Sequence, residues 1–219
     1  MTLIGFLAQK YHGKDTAADY LIMKYHYIKL AFAKPIKDIL KILFGFSDEQ
    51  LYGKEKEKKD KYWKVSPRQM MEYFGTDICR QDMSNIVPNI GSNFWVHSLK
   101  HKYLTLKKQN PNIRIVISDV RFQNEVDLIH DLGGIVVKLY RPSYDNKCSH
   151  IAERGVKNID NFDFLIINNG TKDDLYNKLD KYIENIKSEA SLAQPRHGTK
   201  DDLYNKLDKY IENTKTFSH

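Results

Sequence analysis

The stretch from Thr2 to Asp19 limits the possible fold more than any other part of the chain. It reads TLIGFLAQKYHGKDTAAD, an apolar run followed by a polar turn, a Gly-Lys pair and a segment with helical spacing. Strand, turn with Gly-Lys, and helix is the P-loop arrangement, in which backbone N–H groups and a helix N-terminus hold phosphates. The stretch therefore predicts a phosphate-binding loop from Gln9 to Thr16. An ordinary strand-to-helix turn is the alternative.

Two positions depart from the usual pattern GxxxxGK[ST]. Ala8 stands where the pattern has glycine, which matters only if the backbone there needs a positive φ. Asp15 stands where a hydroxyl normally ligates Mg²⁺. Because a carboxylate can also bind Mg²⁺, and Thr16 offers a hydroxyl one residue on, we expect both residues at a metal site.

Length and charge restrict the class of protein. A chain of 219 residues with 41% hydrophobic residues can fold into one sizeable α/β domain with an insertion. Its net charge of +7 favours anionic partners. Two cysteines give no disulfide framework, no apolar run is long enough for a membrane span, and no secretory leader is visible. We therefore expect a cytoplasmic protein without a membrane partner.

Strand and helix patterns alternate along the chain. After the first strand, further strands are expected at residues 27–32, 113–118, 135–140 and 162–167. Helices are expected at 14–25 and 94–106, two more begin at residues 34 and 66, and another ends at about residue 132. Such alternation predicts a P-loop NTPase-type parallel sheet with helices on both faces. Ligands of such folds bind at the carboxyl ends of the strands.

Several basic and acidic side chains fall at that edge. Lys14 would reach the β- and γ-phosphates of a nucleotide, since a lysine at a helix start is otherwise unfavourable. Asp119 follows an apolar strand, as a metal-binding aspartate would, but it could equally cap the next helix. Arg121 could grip a phosphate through two N–H groups, or pair with Glu125 or Asp119.

Other candidates are weaker when taken singly. Lys37 and Arg68 begin helices and suit an acceptor phosphate, although each alone is more often a solvated side chain. Arg141 and Arg154 bracket a polar loop typical of a mobile lid. Within that loop, His150 beside Glu153 is better explained as a loop hydrogen bond than as an acid/base pair.

The C-terminal part contains an internal repeat. The sequence GTKDDLYNKLDKYIEN occupies residues 170–185 and recurs letter for letter at 198–213. Both copies have one apolar helical stripe, but only one copy can fill one place on the sheet. We expect the first copy to pack there, because it follows its strand directly. The second would then be a free amphipathic helix, disordered or packed on a neighbouring chain, and a duplication without a function of its own is the preferred explanation.

Together these stretches resemble the deoxynucleoside monophosphate kinases of large tailed phages and large DNA viruses, members of the P-loop nucleoside monophosphate kinase superfamily. The matching segments run in order along the chain, and Asp after the P-loop lysine is also found in that family. They are GKDTAAD at 13–19, AKPIKD at 33–38, Arg68 with GTD at 75–77, DVRFQNE at 119–125, Arg141-Pro142, HIAE at 150–153 and NNGT at 168–171.

The resemblance implies a kinase domain at 1–187, with an acceptor-binding insertion at about 34–110, a lid at about 141–158 and the duplicated tail at 188–219. It implies transfer of the ATP γ-phosphoryl group to a dNMP in dNTP supply, with Mg²⁺ at Asp15, Thr16 and Asp119. Homodimers are common among such relatives. The implied catalytic residues are Lys14, Asp15, Arg121 and Arg141. The implied ATP site consists of Gln9, Lys10, Tyr11, His12, Gly13, Lys14, Asp15, Thr16, Asn169 and Gly170. The implied acceptor site consists of Lys37, Arg68, Tyr73, Gly75, Asp119, Arg121, Gln123 and Asn124, and the implied lid residues are Arg141, His150, Glu153 and Arg154.

Three other functions stay open at this point. Phosphomevalonate kinase shares the Gly-Lys-Asp loop. A nucleotide acceptor is favoured by side chains that could bond or stack on a base, namely Gln123, Asn124, Tyr73 and Phe74. A basic nucleic-acid-binding protein with a nucleotide-sensing loop would bind in a strongly salt-dependent way. A catalytically inactive relative would bind nucleotide without turnover.

Overall fold

The structure, a computed structural model, describes residues 3–144, 156 and 158–191, with side chains up to Asn185. The lid residues His150, Glu153 and Arg154 and the second tail copy at 198–213 lie outside the described residues. The chain divides into two compact units. One combines residues 1–29 with 114–219, and the other is formed by 30–113.

The first unit is built on a five-stranded sheet with the strand order β2-β3-β1-β4-β5. β1 runs parallel to both β3 and β4, and β4 runs parallel to β5. The strands are β1 (Leu3–Leu7), β2 (Ile28–Leu30), β3 (Ile115–Val120), β4 (Ile135–Tyr140) and β5 (Phe164–Ile167). β1 is buried along its whole length, as expected for a central parallel strand.

Helices cover both faces of this sheet. They are α1 (Lys14–Tyr25), α6 (Gln123–Asp131) and α7 (Lys172–Ser191). Ile4 and Phe6 share one core with residues of α1 and α7 such as Leu21, Leu175 and Leu179. On the other face α6 approaches so closely that a Cβ on Gly5 would lie 2.4 Å from the Ile129 side chain. The predicted parallel sheet with helices on both faces is confirmed.

The second unit consists of helices and turns. They are α2 (Lys34–Phe44), α3 (Asp48–Tyr52), a 3₁₀ turn (Lys54–Glu57), α4 (Pro67–Glu72), a π-helix (Tyr73–Gln81), 3₁₀ turns (Asp82–Asn85 and Gly91–Asn93) and α5 (Phe94–Gln109). Ser66 caps α4 as its sequence indicates, since it accepts the Gln69 N–H and the Gln69 side chain returns a bond to the Ser66 N–H. Pro67 fills the first position of the helix, where no N–H is needed.

Candidate active site

Ala8 to Gly13 form the loop between β1 and α1 and have the features of a phosphate loop. Gly13 precedes the helix with a φ of 96°, a left-handed conformation that suits glycine. A Cβ at this position would also lie 2.5 Å from the Asn168 side-chain nitrogen. Both backbone conformation and space therefore require glycine immediately before Lys14.

Ala8 fits the loop without strain. It is fully buried, and it is not among the residues with positive φ. The glycine of the usual pattern is therefore not needed for backbone reasons at this position. Tyr11, in contrast, has a φ of 69°, a left-handed backbone conformation that is uncommon for a residue other than glycine.

Lys14 is a buried lysine at the N-terminus of α1. Only 8% of its surface is exposed, and its Nζ lies 3.6 Å from an Asp15 carboxylate oxygen. A cation is unfavourable at the positive end of a helix dipole, and burial adds a desolvation penalty. A bound phosphate would offset both terms. The arrangement is therefore that of a lysine kept for an anionic ligand.

Asp15 and Thr16 place a carboxylate and a hydroxyl in the first turn of α1. The Asp15 side chain is 65% exposed, and Lys29 Nζ lies 3.4 Å from it and 3.2 Å from Asp19. Thr16 is partly buried. Carboxylate and hydroxyl oxygens are the ligands that Mg²⁺ accepts beside nucleotide phosphates, so the donor set at this turn fits that ion.

The carboxyl ends of β4 and β5 hold the loop in place. The Asn168 side-chain amide donates to the His12 carbonyl oxygen at 3.1 Å, and its own N–H donates to the Tyr140 carbonyl at 2.7 Å. The Arg141 N–H donates to His12 Nδ1 at 3.3 Å. His12 Nδ1 also lies 3.3 Å from the Leu139 carbonyl oxygen, so both contacts of this nitrogen are made at the carboxyl end of β4. The loop is thus fixed by two neighbouring strands.

Aromatic rings surround the start of the segment after β4. The Arg141 guanidinium lies over the Tyr144 ring at 5.2 Å from its centroid. The Tyr144 ring in turn lies 5.7 Å from that of Tyr11. Arg141, a predicted lid arginine, is therefore next to the phosphate loop in the described part of the chain.

The end of β3 differs slightly from its predicted position. Asp119 lies inside the strand instead of after it, and it does not cap α6, because the capping position is occupied by Phe122. The buried Glu125 carboxylate accepts the backbone N–H groups of Arg121 and Phe122 at 2.8 and 3.2 Å. The bond from Arg121 uses its backbone N–H, and the predicted pairing of its guanidinium with Glu125 or Asp119 stays a prediction.

Gln123 and Asn124 follow on the first turn of α6. The Gln123 amide donates to an Asp127 carboxylate oxygen at 2.8 Å, an i,i+4 contact on the exposed side of the helix. This bond uses one N–H of the Gln123 amide, and the amide has a second N–H and an oxygen with which it can bond a base edge.

Asn169 and Gly170 lie in the turn between β5 and α7. Lys178 donates to the Asn169 side-chain oxygen at 2.9 Å and to the Ile167 carbonyl at 2.7 Å. A Cβ on Gly170 would lie 2.4 Å from an Asp174 carboxylate oxygen, so a larger residue there would displace that side chain. Hydrogen bonds from the N–H and then the hydroxyl of Thr171 lower the pKa of Asp174.

The predicted acceptor residues of the second unit have partners within that unit. Lys37 Nζ lies 3.9 Å from the Tyr52 ring centroid, and Arg68 Nε lies 3.5 Å from Glu57 and 3.4 Å from Glu72. Tyr73 is half exposed at the start of the π-helix. That these residues join Asp119 and Arg121 around one acceptor stays a prediction.

Gly75 lies inside the π-helix. Its carbonyl oxygen accepts the Trp95 indole N–H at 2.9 Å, and a Cβ there would lie 3.0 Å from Ile36. π-Helical segments occur frequently at functional sites. The sequence pattern did not indicate this one, nor the roles of Tyr144 and of the His12 ring.

The sequence predicts no membrane-spanning segment, and the helices of the structure can be compared with that prediction. None of the helices formed by the described residues has both the length and the apolar character needed to cross a bilayer.

Comparison with known proteins identifies the family. The model of the family "Deoxynucleotide monophosphate kinase" matches residues 47–179, more than half of the chain. A relative from Acanthamoeba polyphaga mimivirus, named for the same activity, is 39% identical over 188 residues, which are 84% of this chain and 97% of the relative. The chain belongs to the deoxynucleotide monophosphate kinase family.

More distant relatives carry the same family name. The deoxynucleotide monophosphate kinase of Enterobacteria phage T4 is 23% identical, with 82% of this chain and 97% of that protein covered. Membership in the deoxynucleotide monophosphate kinase family confirms the resemblance and the prediction of a kinase. Among solved structures, a dephospho-CoA kinase from Campylobacter jejuni matches with a TM-score of 0.44 and 17% identity, covering 84% of this chain and 97% of that one.

Proposed function

We propose that the protein transfers the γ-phosphoryl group of ATP to a deoxynucleoside monophosphate, giving ADP and a deoxynucleoside diphosphate. The observation that carries this proposal is the buried Lys14 behind Gly13, at the start of a helix, in a chain of the deoxynucleotide monophosphate kinase family. A phosphate loop explains the position of this lysine, and the family explains the acceptor.

The donor site is formed by the loop from Gln9 to Thr16. Its backbone N–H groups and the N-terminus of α1 bind the phosphates, and Lys14 neutralises charge on the β- and γ-phosphates. Asp15, Thr16 and Asp119 would hold Mg²⁺, which supplies further neutralisation of the phosphate oxygens when bound. Asn169 and Gly170 contact the adenosine part.

The proposed acceptor is a deoxynucleoside monophosphate. Lys37, Arg68 and Arg121 bind the acceptor phosphate, and Tyr73 and Gly75 border the base. The amides of Gln123 and Asn124 bind its edge. The acceptor oxygen is already anionic, so the reaction needs no protein base, and catalysis consists of positioning and charge neutralisation.

Of the two candidate lid arginines, Arg141 is the one that lies in the described part of the chain, and we assign it to stabilise the transferring phosphoryl group. Its backbone is tied to the phosphate loop through His12, and its guanidinium lies over Tyr144. Guanidinium groups placed at a transferring phosphoryl group stabilise the charge of the transition state. Arg154 and the pair His150 and Glu153 complete the proposed lid.

The setting follows from the viral relatives. We infer a role in deoxynucleotide supply in the host cytoplasm, with a homodimer as the assembly and no specific nucleic-acid partner. Among the open alternatives, family membership favours a nucleotide over phosphomevalonate as the acceptor.

One assay tests the proposal. The purified protein is given ATP and Mg²⁺ with each dNMP, each NMP and phosphomevalonate in turn, and ADP formation is measured. We expect turnover with at least one dNMP, and Lys14→Ala should abolish it while the thermal unfolding transition stays cooperative. Turnover with phosphomevalonate alone, or near-normal kcat in Lys14→Ala, would contradict the proposal. Binding to DNA that falls steeply with salt, without turnover, would support the nucleic-acid alternative.

A further inference from the structure

Arg141 is held through two different contacts. Its backbone N–H donates to His12 Nδ1 at 3.3 Å, and its guanidinium lies 5.2 Å from the centroid of the Tyr144 ring. The first contact fixes where the segment after β4 begins. The second restricts the direction of a long side chain with several rotatable bonds.

His12 is a firm attachment point for this segment. It is 98% buried, its ring meets that of Tyr140 edge-on at 5.8 Å, and its carbonyl oxygen accepts the Asn168 amide. Because Tyr140 and Asn168 hold His12, its ring keeps a fixed position within the phosphate loop. The Arg141 backbone is therefore coupled to the loop that binds the donor phosphates.

Tyr11 supports the second contact. Its ring lies 5.7 Å from that of Tyr144, and Lys10 Nζ lies 4.9 Å from its centroid. The Tyr11 backbone is in the left-handed region, which is unfavourable for a residue with a Cβ. Because 56% of the residue is exposed, burial in the core does not account for a tyrosine there. Its contact with Tyr144 does.

We propose that Tyr11 and Tyr144 are positioning residues that hold the Arg141 guanidinium beside the phosphate loop for phosphoryl transfer. The inference rests on the proposed kinase function. A cation over an aromatic ring is attracted to the ring face and does not use its in-plane N–H donors. Those donors remain suited to two phosphate oxygens, whereas a carboxylate partner would occupy them.

The decisive measurement is a double-mutant cycle on kcat. Arg141→Ala should lower kcat about 100-fold, in the range found when one transition-state donor is removed. Tyr144→Leu should lower kcat about 10-fold with little change in the KM for ATP, because donor binding relies on the loop itself. The double variant should be no slower than Arg141→Ala alone, because Tyr144 acts through Arg141. If the loss of kcat in the double variant equals the product of the two single-variant losses, the two residues act independently and the proposal is overturned.

Conservative variants separate positioning from folding. Tyr144→Phe and Tyr11→Phe keep the rings and should keep at least half of the wild-type kcat. Tyr11→Asn accepts a positive φ but lacks the ring, so it should match Tyr144→Leu in kcat. Met23→Ala, at an exposed position of α1, serves as a control for surface truncation. A large loss in either phenylalanine variant, or none in Tyr11→Asn, would contradict the role of the rings.

The cycle also distinguishes the two proposals. If the wild-type protein phosphorylates no dNMP, the proposed function fails. If it does, and Tyr144→Leu turns over at the wild-type rate, the positioning role fails while the kinase function stands.

Discussion

At Gly13, adding a single methyl group is unfavourable for two reasons, the backbone conformation and the space available. Gly13→Ala places a Cβ in a left-handed backbone with a φ of 96° and 2.5 Å from the Asn168 amide nitrogen. We expect the loop to shift and ATP affinity to fall by about tenfold or more, since backbone strain of this kind is worth about 1–3 kcal/mol. Isothermal titration with an ATP analogue measures the change.

Ala8→Gly is the matched control for this prediction. Ala8 has no positive φ, so glycine relieves no strain there, and ATP affinity should change less than twofold. Equal losses in the two variants would mean that the loop does not depend on the conformation of Gly13.

His130 titrates in contact with Asp163. Its Nε2 lies 2.9 Å from the carboxylate, and this hydrogen bond raises the His130 pKa above its ordinary value. The interaction therefore stabilises the fold below the unfolded pKa of about 6.5 and is lost as the pH rises through the higher folded pKa. Asp163→Asn should lower the His130 pKa in an NMR titration.

The same substitution gives a stability test. An asparagine oxygen can still accept the Val136 N–H, which donates to Asp163 at 2.7 Å. Urea unfolding should therefore show a greater loss of stability for Asp163→Asn at pH 6 than at pH 8. A loss that is equal at both pH values would contradict the assigned charge interaction.

At the scale of elements, Asp180 joins α7 to α1. Its carboxylate accepts hydrogen bonds from the hydroxyls of Tyr20 and Tyr25 at 2.8 and 2.7 Å, and from Lys24 at 2.7 Å. Burial raises the pKa of Asp180, but these bonds outweigh burial and bring the pKa below its ordinary value. Burial and the bond to Asp180 raise the pKa of Tyr25 to about 12.

We expect Asp180→Ala to lower the free energy of unfolding by roughly 1–3 kcal/mol, because partly buried donors lose their acceptor. Glu184→Gln, at an exposed position of the same helix, should change it by less than about 0.5 kcal/mol. The Asp180 contribution is present above the unfolded pKa of about 3.9 and is lost as the pH falls through the lower folded value. The difference between wild type and Asp180→Ala in urea titrations should therefore shrink only in acid.

Local sequence determines some elements almost completely. The predicted bounds of α1 and β4 agree with the structure, because Gly13 stands immediately before α1 and the pair Gly133-Gly134 separates β4 from the preceding helix. β3 begins two residues later than predicted, since pairing with β1 decides which residues join the sheet.

Other features depend on contacts that no local pattern contains. The π-helix at Tyr73–Gln81 continues α4 without a break in helical spacing, so its sequence resembles that of an ordinary helix. The loop motif predicted Lys14, and the polar loop after β4 predicted Arg141 as a lid candidate. The contact between Tyr11 and Tyr144 was not predicted, because it joins residues far apart in the chain. Such pairs follow from the arrangement of strands and not from residue type.

At the scale of the whole molecule, the repeat offers an internal comparison. Leu175 in the first copy is 98% buried in the core under the sheet. Leu203 is the same residue in the second copy. Leu175→Asp should destabilise the protein by more than about 3 kcal/mol, because it places a charge in that core.

Leu203→Asp and deletion of residues 198–219 should leave the unfolding temperature and kcat almost unchanged, because the first copy supplies the packing. Thermal unfolding followed by circular dichroism measures all three variants. Equal destabilisation by Leu175→Asp and Leu203→Asp would contradict this assignment of the two copies.

The bond between Asn168 and the His12 carbonyl spans 156 positions of the chain. On the ribosome, the turn at His12 is therefore synthesised well before Asn168, the residue that holds it from the end of β5. A nascent chain that still lacks β5 should not retain ATP, even though every residue of its Gly-Lys segment has already left the exit tunnel.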